Sequence, residues 1–297
     1  MLTLRCNQKC VYCQVNSVPA DRTDTDMTIE TAEKVLERIF ESPSPSLNIE
    51  FQGGEPLMNW PTLKFIVARA LEKNKKAKKK LMFGLVSNMS LMDKGKLDFL
   101  LKNKVTFCTS LDGPAQVHEK NRIWVGGSSH AQTVAWRKKI YAATRNRRFR
   151  IDALLTLTRH SLRYPREIVD EYMSLGARGV YLRALSPLGL ALKTWETIGY
   201  TPEEYLEFYR TAMDYIIERN LRSKKVRFFE HLAKTFLHKI LNNEEPGHYD
   251  IRSPCGAGIG QVAYNFDGSI YTCDEGRMLS RMGDESFRIG HASSDTL

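Results

Sequence analysis

"RCNQKCVYCQ" occupies residues 5–14 and sets Cys6, Cys10 and Cys13 in a C-x3-C-x2-C spacing. The chain has only six cysteines in 297 residues, and the next one after this trio is Cys108. A disulfide framework fits poorly. The number is odd, the loops are short, and the chain is not a small secreted scaffold. Structural zinc is the stronger rival, but a closed zinc site takes four ligands, usually as two Cys/His pairs, and no histidine precedes His118. Iron–sulfur clusters are held by thiolates and usually take four. Three thiolates on a [4Fe–4S] cluster leave one iron free for a substrate or cofactor.

A chain of 297 residues is long enough for one large domain and a small appendage. No apolar run approaches the roughly 18 residues of a membrane span, and "MLTLRC" turns polar too soon for a signal peptide. Cysteines without an evident disulfide pattern point to the reducing cytoplasm. The formal charge is +10, so a nucleic-acid partner has to be weighed. The basic residues concentrate in "KNKKAKKK" (73–80) and "RNRRFR" (145–150), each leading from a helical pattern into a strand pattern. In an α/β barrel such loops lie opposite the active face. They read first as solvated turns, next as a surface for an acidic partner, and last as an RNA site.

Apolar strand-like runs occur at 1–4 ("MLTL"), 47–51, 81–87, 105–111, 150–157 and 179–185 ("GVYLRAL"). Amphipathic helical stretches separate them. "TIETAEKVLERIFES" starts at Thr28 as N-cap, and "PREIVDEYMSLG" ends on Gly176 as a C-cap. Strands alternating with helices imply a parallel sheet of βαβ units, six in number. Cys108, inside the fourth strand, reads as a small core residue. Two further helices, at 202–220 and 227–243, follow. His231 and His238 share one face of the second, which reads as packing or solvation rather than a metal site. "EEPGHYDIRSP" (244–254) is a linker. "VAYNFDGSIYTC" is a hairpin turning at "DG", with Cys255 and Cys273 bracketing it. The domains expected are 1–190, a barrel; 191–245, connecting helices; and 246–297, a small hairpin-bearing segment.

The cysteine spacing, with Tyr12 before the third cysteine, resembles the signature of the radical S-adenosylmethionine (SAM) enzymes. That resemblance implies a partial (β/α)6 barrel of the TIM type. Its cluster chelates SAM through the free iron, and an electron then cleaves the sulfonium to methionine and a 5′-deoxyadenosyl radical. The loops at the strand ends match as well. "FQGGEP" follows the second strand, and the resemblance implies that Gly53, Gly54 and Glu55 bind the amino group of SAM. It also implies that Asn88 in "SNMS" and Ser110 in "SLDGP" lie near the ribose and carboxylate. Taken singly, Ser87, Asn88, Ser110 and Asp112 are ordinary turn residues; their shared place at strand ends favours the site. Arg183, ending the sixth strand, is left between SAM, a peptide substrate and a bracing role.

Cys255, Gly268 and Cys273 resemble the opening C-x(9–15)-G-x4-C element of SPASM/twitch domains, which hold auxiliary [4Fe–4S] clusters. The full element carries further cysteines, and this chain has none after Cys273, so a piece of a longer maturase is expected. "CVYCQ", "SLDGPAQVHEKNR" and "YTCDEGRML" together resemble the anaerobic sulfatase and peptide maturases, most of all those of the His-Xaa-Ser system. The resemblance implies radical modification of a ribosomally made precursor peptide, with a flavodoxin or ferredoxin as electron donor. It also implies that Asp274 acts as a general base, against a turn-capping or Arg277-pairing role. The alternatives are an RNA-modifying radical SAM enzyme and a non-enzymatic zinc protein.

Overall fold

The computed structural model describes residues 1–144, 152–223, 227–244 and 254–295. The basic run at 145–150 and nearly all of the linker at 244–254 lie outside the described residues. In chain order the first half comprises β1 (Lys9–Cys10), α1 (Ile29–Glu41), β2 (Ser46–Phe51), α2 (Trp60–Ala77), β3 (Lys80–Val86), α3 (Lys94–Lys102), β4 (Val105–Ser110), α4 (Ala115–Asn121), β5 (Arg122–Ile123) and α5 (Ser129–Thr144). Next come β6 (Asp152–Thr156), α6 (Pro165–Ser174), β7 (Gly179–Val180), β8 (Leu182–Arg183), α7 (Leu190–Lys193), α8 (Trp195–Ile198), α9 (Pro202–Arg222), β9 (Phe229–Glu230) and α10 (His231–Asn242). The last part holds β10 (Ala263–Tyr264), β11 (Ser269–Tyr271), α11 (Asp274–Ser280) and β12 (Arg288–His291).

Strands β2, β3, β4, β6 and β8 form a parallel sheet in that order. Helices α2, α3, α5 and α6 supply crossovers between them, as parallel pairing requires. Period-two alternation in β2 sends Leu47, Ile49 and Phe51 into the core and leaves Asn48 and Glu50 exposed. Leu36, Leu63, Leu85 and Leu100 are fully enclosed in the main core, each worth about 1.5–3 kcal/mol of burial. A second core joins α6 and α9 through Ile168, Tyr172, Phe208 and Ile216. Thr28 caps α1 by accepting the Thr31 amide, and Gly176 closes the turn after α6 at φ +70°.

The expected strand over 179–185 is divided. Gly179–Val180 pairs with Phe229–Glu230, while Leu182–Arg183 pairs with β6. Glu230 also accepts the Leu182 amide at 3.1 Å. The same pairing takes Phe229 and Glu230 out of the expected helix, which begins at His231. The expected first strand, 1–4, does not form a sheet strand either. Its hydrogen bonds divide between two neighbours: Leu2 N–H meets Gln52 O at 2.8 Å, and Met27 N–H meets Leu2 O at 2.9 Å. The "DG" hairpin forms, with Gly268 at φ +94° and its amide bonded to Asn265 O. A third strand, β12, joins it. This unit packs on the barrel: Ala292 is in the main core, and Arg38 Nε donates to Ala292 O at 3.2 Å. Among the described residues no helix is long and apolar enough to cross a membrane.

Candidate functional site

All five sheet strands are parallel, so their carboxyl ends open onto one edge. There the loops meet around a cavity of about 1110 Å³. Cys6, Cys10, Tyr12 and Cys13 line it, together with Gly53, Gly54, Asn88, Ser110, Arg183 and Asp274.

The cysteine loop is held from several sides. Lys9–Cys10 pairs antiparallel with Arg122–Ile123. Below it, Cys10 and Tyr12 pack with Leu185, Ala191 and Ile198. Gly189, at φ +58°, lets the chain pass close to Gln14, and Leu190 N–H bonds Cys13 O at 2.9 Å. Gln8 N–H points at Cys6 Sγ at 3.4 Å, and Asn88 Nδ2 lies 3.8 Å from the same sulfur. Burial, then the neighbouring Cys10, pushes the Cys6 thiol up to about 12. Burial pushes Cys10 up to about 11 against the pull of Arg122. Cys6 and Cys10 therefore resist ionising together unless a cation compensates them. A cationic iron centre would do this, and its binding would release the protons. Among the described residues no three His, Cys, Asp or Glu side chains are grouped to hold a single metal ion. A cluster instead spreads its thiolates over separate irons. Three thiols on one loop at the cavity are the donor set that a three-thiolate iron–sulfur cluster would take.

The GGEP turn reaches the same place by close backbone approach. A Cβ on Gly54 would stand 2.2 Å from Arg5 O, so only glycine fits. Glu55 is placed differently from the two glycines. Its carboxylate is fully buried, is not among the cavity-lining groups, and accepts Leu57 N–H at 3.0 Å, Ser87 Oγ at 2.8 Å and Asn88 N–H at 2.8 Å. Burial raises it, and those bonds pull it down. It ties two loops together, and Gly53 and Gly54 are the part of the turn that meets the cavity.

Tyr12 does not present its hydroxyl to the cavity as a free group. It donates to Asp112 Oδ2 at 2.7 Å and accepts from Arg122 Nη1 at 2.8 Å. Arg122, 92 % shielded from solvent, had no role in the sequence reading beyond standing in "HEKNR". Its position after the fourth strand was the available signal. Cys108 lines the cavity and is only partly buried, so it is not the core residue expected. His231 lines it too.

The C-terminal unit closes one side. Arg183 Nη2 stands 3.9 Å from Glu275 Oε1, a half-exposed pair worth little by itself. Asp274 lines the cavity and also accepts Arg277 Nη2 at 3.0 Å. Burial alone would raise its carboxyl; the buried Arg277 guanidinium and the Arg277 and Gln52 bonds hold it below the usual range. Cys273, not Asp274, caps α11, accepting Gly276 N–H at 3.3 Å. Cys273 is buried and Cys255 exposed, and neither lines the cavity. The chain returns near Cys273 where Gly258 N–H bonds Thr272 O at 2.8 Å. Two thiolates fall short of the usual four, so these residues do not by themselves build a second cluster.

Residues 1–135 match the Radical SAM superfamily family model. A cysteine-type anaerobic sulfatase-maturating enzyme of Clostridium perfringens is 24% identical over 275 residues, covering 91% of this chain and 71% of its own. The radical SAM cyclopropyl synthase TigE of Paramaledivibacter caminithermalis is 32% identical over 128 residues, 38% of this chain and 26% of its own. The fold matches native anSMEcpe with bound AdoMet at TM-score 0.78 and 20% identity, covering 100% of this chain and 77% of that one. Cysteine loop, parallel partial barrel and family model agree that residues 1–135 carry a radical SAM domain, and the chain is an enzyme.

Proposed function

We propose that this enzyme modifies a side chain of a peptide or protein, with Cys6, Cys10 and Cys13 holding a [4Fe–4S] cluster and SAM bound beside it. The observation that carries the reading is that the three cysteines, the Gly53–Gly54 backbone, Asn88, Ser110, Arg183 and Asp274 line one cavity at the carboxyl ends of the strands. Its volume, about 1110 Å³, is above the roughly 300–1,000 Å³ of a drug-sized pocket. That leaves space for a substrate side chain beside a cofactor. Bound there, cluster and SAM supply a 5′-deoxyadenosyl radical for hydrogen abstraction.

The chain's own residues bind and orient. Gly53 and Gly54 bring peptide groups against the cofactor's amino end, while Asn88 and Ser110 offer polar side chains at the next two strand ends. Arg183 and Glu275 face each other over the cavity and bracket the approach of a substrate. Asp274, ionised and steadied by Arg277, is placed to accept a proton from the substrate. The division into a barrel at 1–190, linking helices at 191–245 and a C-terminal unit at 246–297 goes with this assignment. A SPASM/twitch-like auxiliary cluster at Cys255 and Cys273 needs further ligands, and no step is drawn through it. The electron donor is a low-potential carrier of flavodoxin or ferredoxin type.

Support for a peptide substrate comes from structural relatives. The fold matches anSMEcpe with bound AdoMet and Kp18Cys peptide at TM-score 0.76, and Streptococcus suis SuiB bound to precursor peptide SuiA at 0.67. The test is anaerobic reconstitution with SAM and peptides encoded beside the gene, read by mass spectrometry. A mass change with matching 5′-deoxyadenosine is expected; deoxyadenosine with RNA modification and unaltered peptides would overturn the substrate class.

A further inference from the structure

Arg122 is the direct cross-strand partner of Cys10, and Val11 N–H bonds Asn121 O at 2.9 Å beside the pair. Its buried side chain lines the same cavity as the three cysteines. Nη1 donates to the Tyr12 hydroxyl at 2.8 Å, and Nη2 lies 3.4 Å from Gln8 Oε1. One guanidinium thus braces the cysteine loop at Gln8, Cys10 and Tyr12. Arginine can only donate, so the proton order is set. Arg122 gives to Tyr12, Tyr12 gives to Asp112, and Asp112 accepts. Asp112 also takes Thr156 N–H at 3.3 Å, is fully buried, and is not among the cavity-lining groups. The positive end of this chain of bonds faces the cavity and the negative end lies behind it.

We infer that Arg122 is a positioning residue that both fixes the cysteine loop and biases the cluster site toward its reduced state, with Tyr12 and Asp112 keeping the guanidinium aimed at the cavity. The inference rests on Cys6, Cys10 and Cys13 being the cluster ligands. One-electron reduction adds negative charge beside a buried cation, where low dielectric leaves the attraction poorly screened. Net charge and hydrogen bonding around a cluster are among the levers on its potential. Packing alone gives no reason for a charged residue here, because a methionine would fill similar space without a desolvation cost.

The test compares reconstituted wild type, Arg122→Met, Arg122→Lys and Asp112→Asn, each assayed for iron per chain. Midpoint potentials follow from anaerobic dithionite titration monitored by EPR. Arg122→Met is expected to move the potential more negative and Asp112→Asn less negative, with Arg122→Lys near wild type. A merely structural role has no reason to give opposite signs. An unshifted potential in iron-replete Arg122→Met overturns the inference, as do shifts of the same sign in Arg122→Met and Asp112→Asn. If Arg122→Met holds no iron, Asp112→Asn decides alone: a less negative potential supports the inference and an unchanged one overturns it. A wild type that binds no iron defeats the cluster assignment itself, and is recognised before any variant is compared.

Discussion

The Glu55 carboxylate accepts the backbone amide of Asn88 at 2.8 Å, tying the loop after β2 to the loop after β3. The same group takes Ser87 Oγ and Leu57 N–H. Glu55→Ala leaves three buried donors without that acceptor, at about 1–3 kcal/mol each. Thermal melting is expected to fall sharply, with iron content and SAM affinity falling together. Unchanged melting with an isolated loss of SAM affinity would instead assign Glu55 as a direct ligand.

Gly54→Ala probes the close approach beside Cys6. The new Cβ would meet Arg5 O at 2.2 Å and Leu4 O at 2.5 Å, both backbone atoms that cannot swing away. Leu4 and Arg5 must shift and carry Cys6 with them. Iron per chain after reconstitution is expected to drop well below wild type; full iron loading would refute the packing argument.

His118 gives a pH dependence. Burial first, then Arg122 and His130, pushes its imidazole down from 6.5 to about 2, and Nδ1 accepts the Asp112 amide at 3.2 Å. The folded chain keeps this histidine neutral, while the unfolded chain protonates it below pH 6.5. Stability present above that pH is therefore lost on acidification, at about 1.4 kcal/mol per pH unit from this group. His118→Asn retains an acceptor and removes the titration. Urea unfolding at pH 5 and pH 7 should show a smaller difference in the variant; equal differences would contradict the assignment.

Asp274→Asn keeps a hydrogen-bond acceptor for Arg277 and removes the charge. Deoxyadenosine formation is expected to persist while peptide product falls at least tenfold. Both are read on one sample, with iron content and melting temperature. Full peptide modification eliminates the proton-acceptor role.

How much of this was legible in sequence depended on distance along the chain. The runs at 47–51, 81–87 and 105–111 are local apolar signals, and the strands form there. "GVYLRAL" divides because two residues pair with Phe229–Glu230, a partner some fifty positions away that leaves no local pattern. Cys6, Cys10, Cys13 and the double glycine stand out by their spacing, and they line one cavity. Arg122 does not stand out in this way, since its pairing with Cys10 exists only where β1 and β5 meet. Glu55 was visible as a carboxylate, but the direction of a side chain is decided by which donors surround it. Asp274 carried both readings, and the structure provides the Arg277 pair without removing the residue from the cavity.

The most direct measurement is 5′-deoxyadenosine released from SAM by anaerobically reconstituted protein under dithionite, wild type against a variant with Cys6, Cys10 and Cys13 all changed to Ala. The wild type should release deoxyadenosine and show iron and sulfide in cluster proportion. The variant should release none while retaining its fold by circular dichroism. Sustained deoxyadenosine formation by the folded triple variant would contradict the assignment of the cluster to these three cysteines.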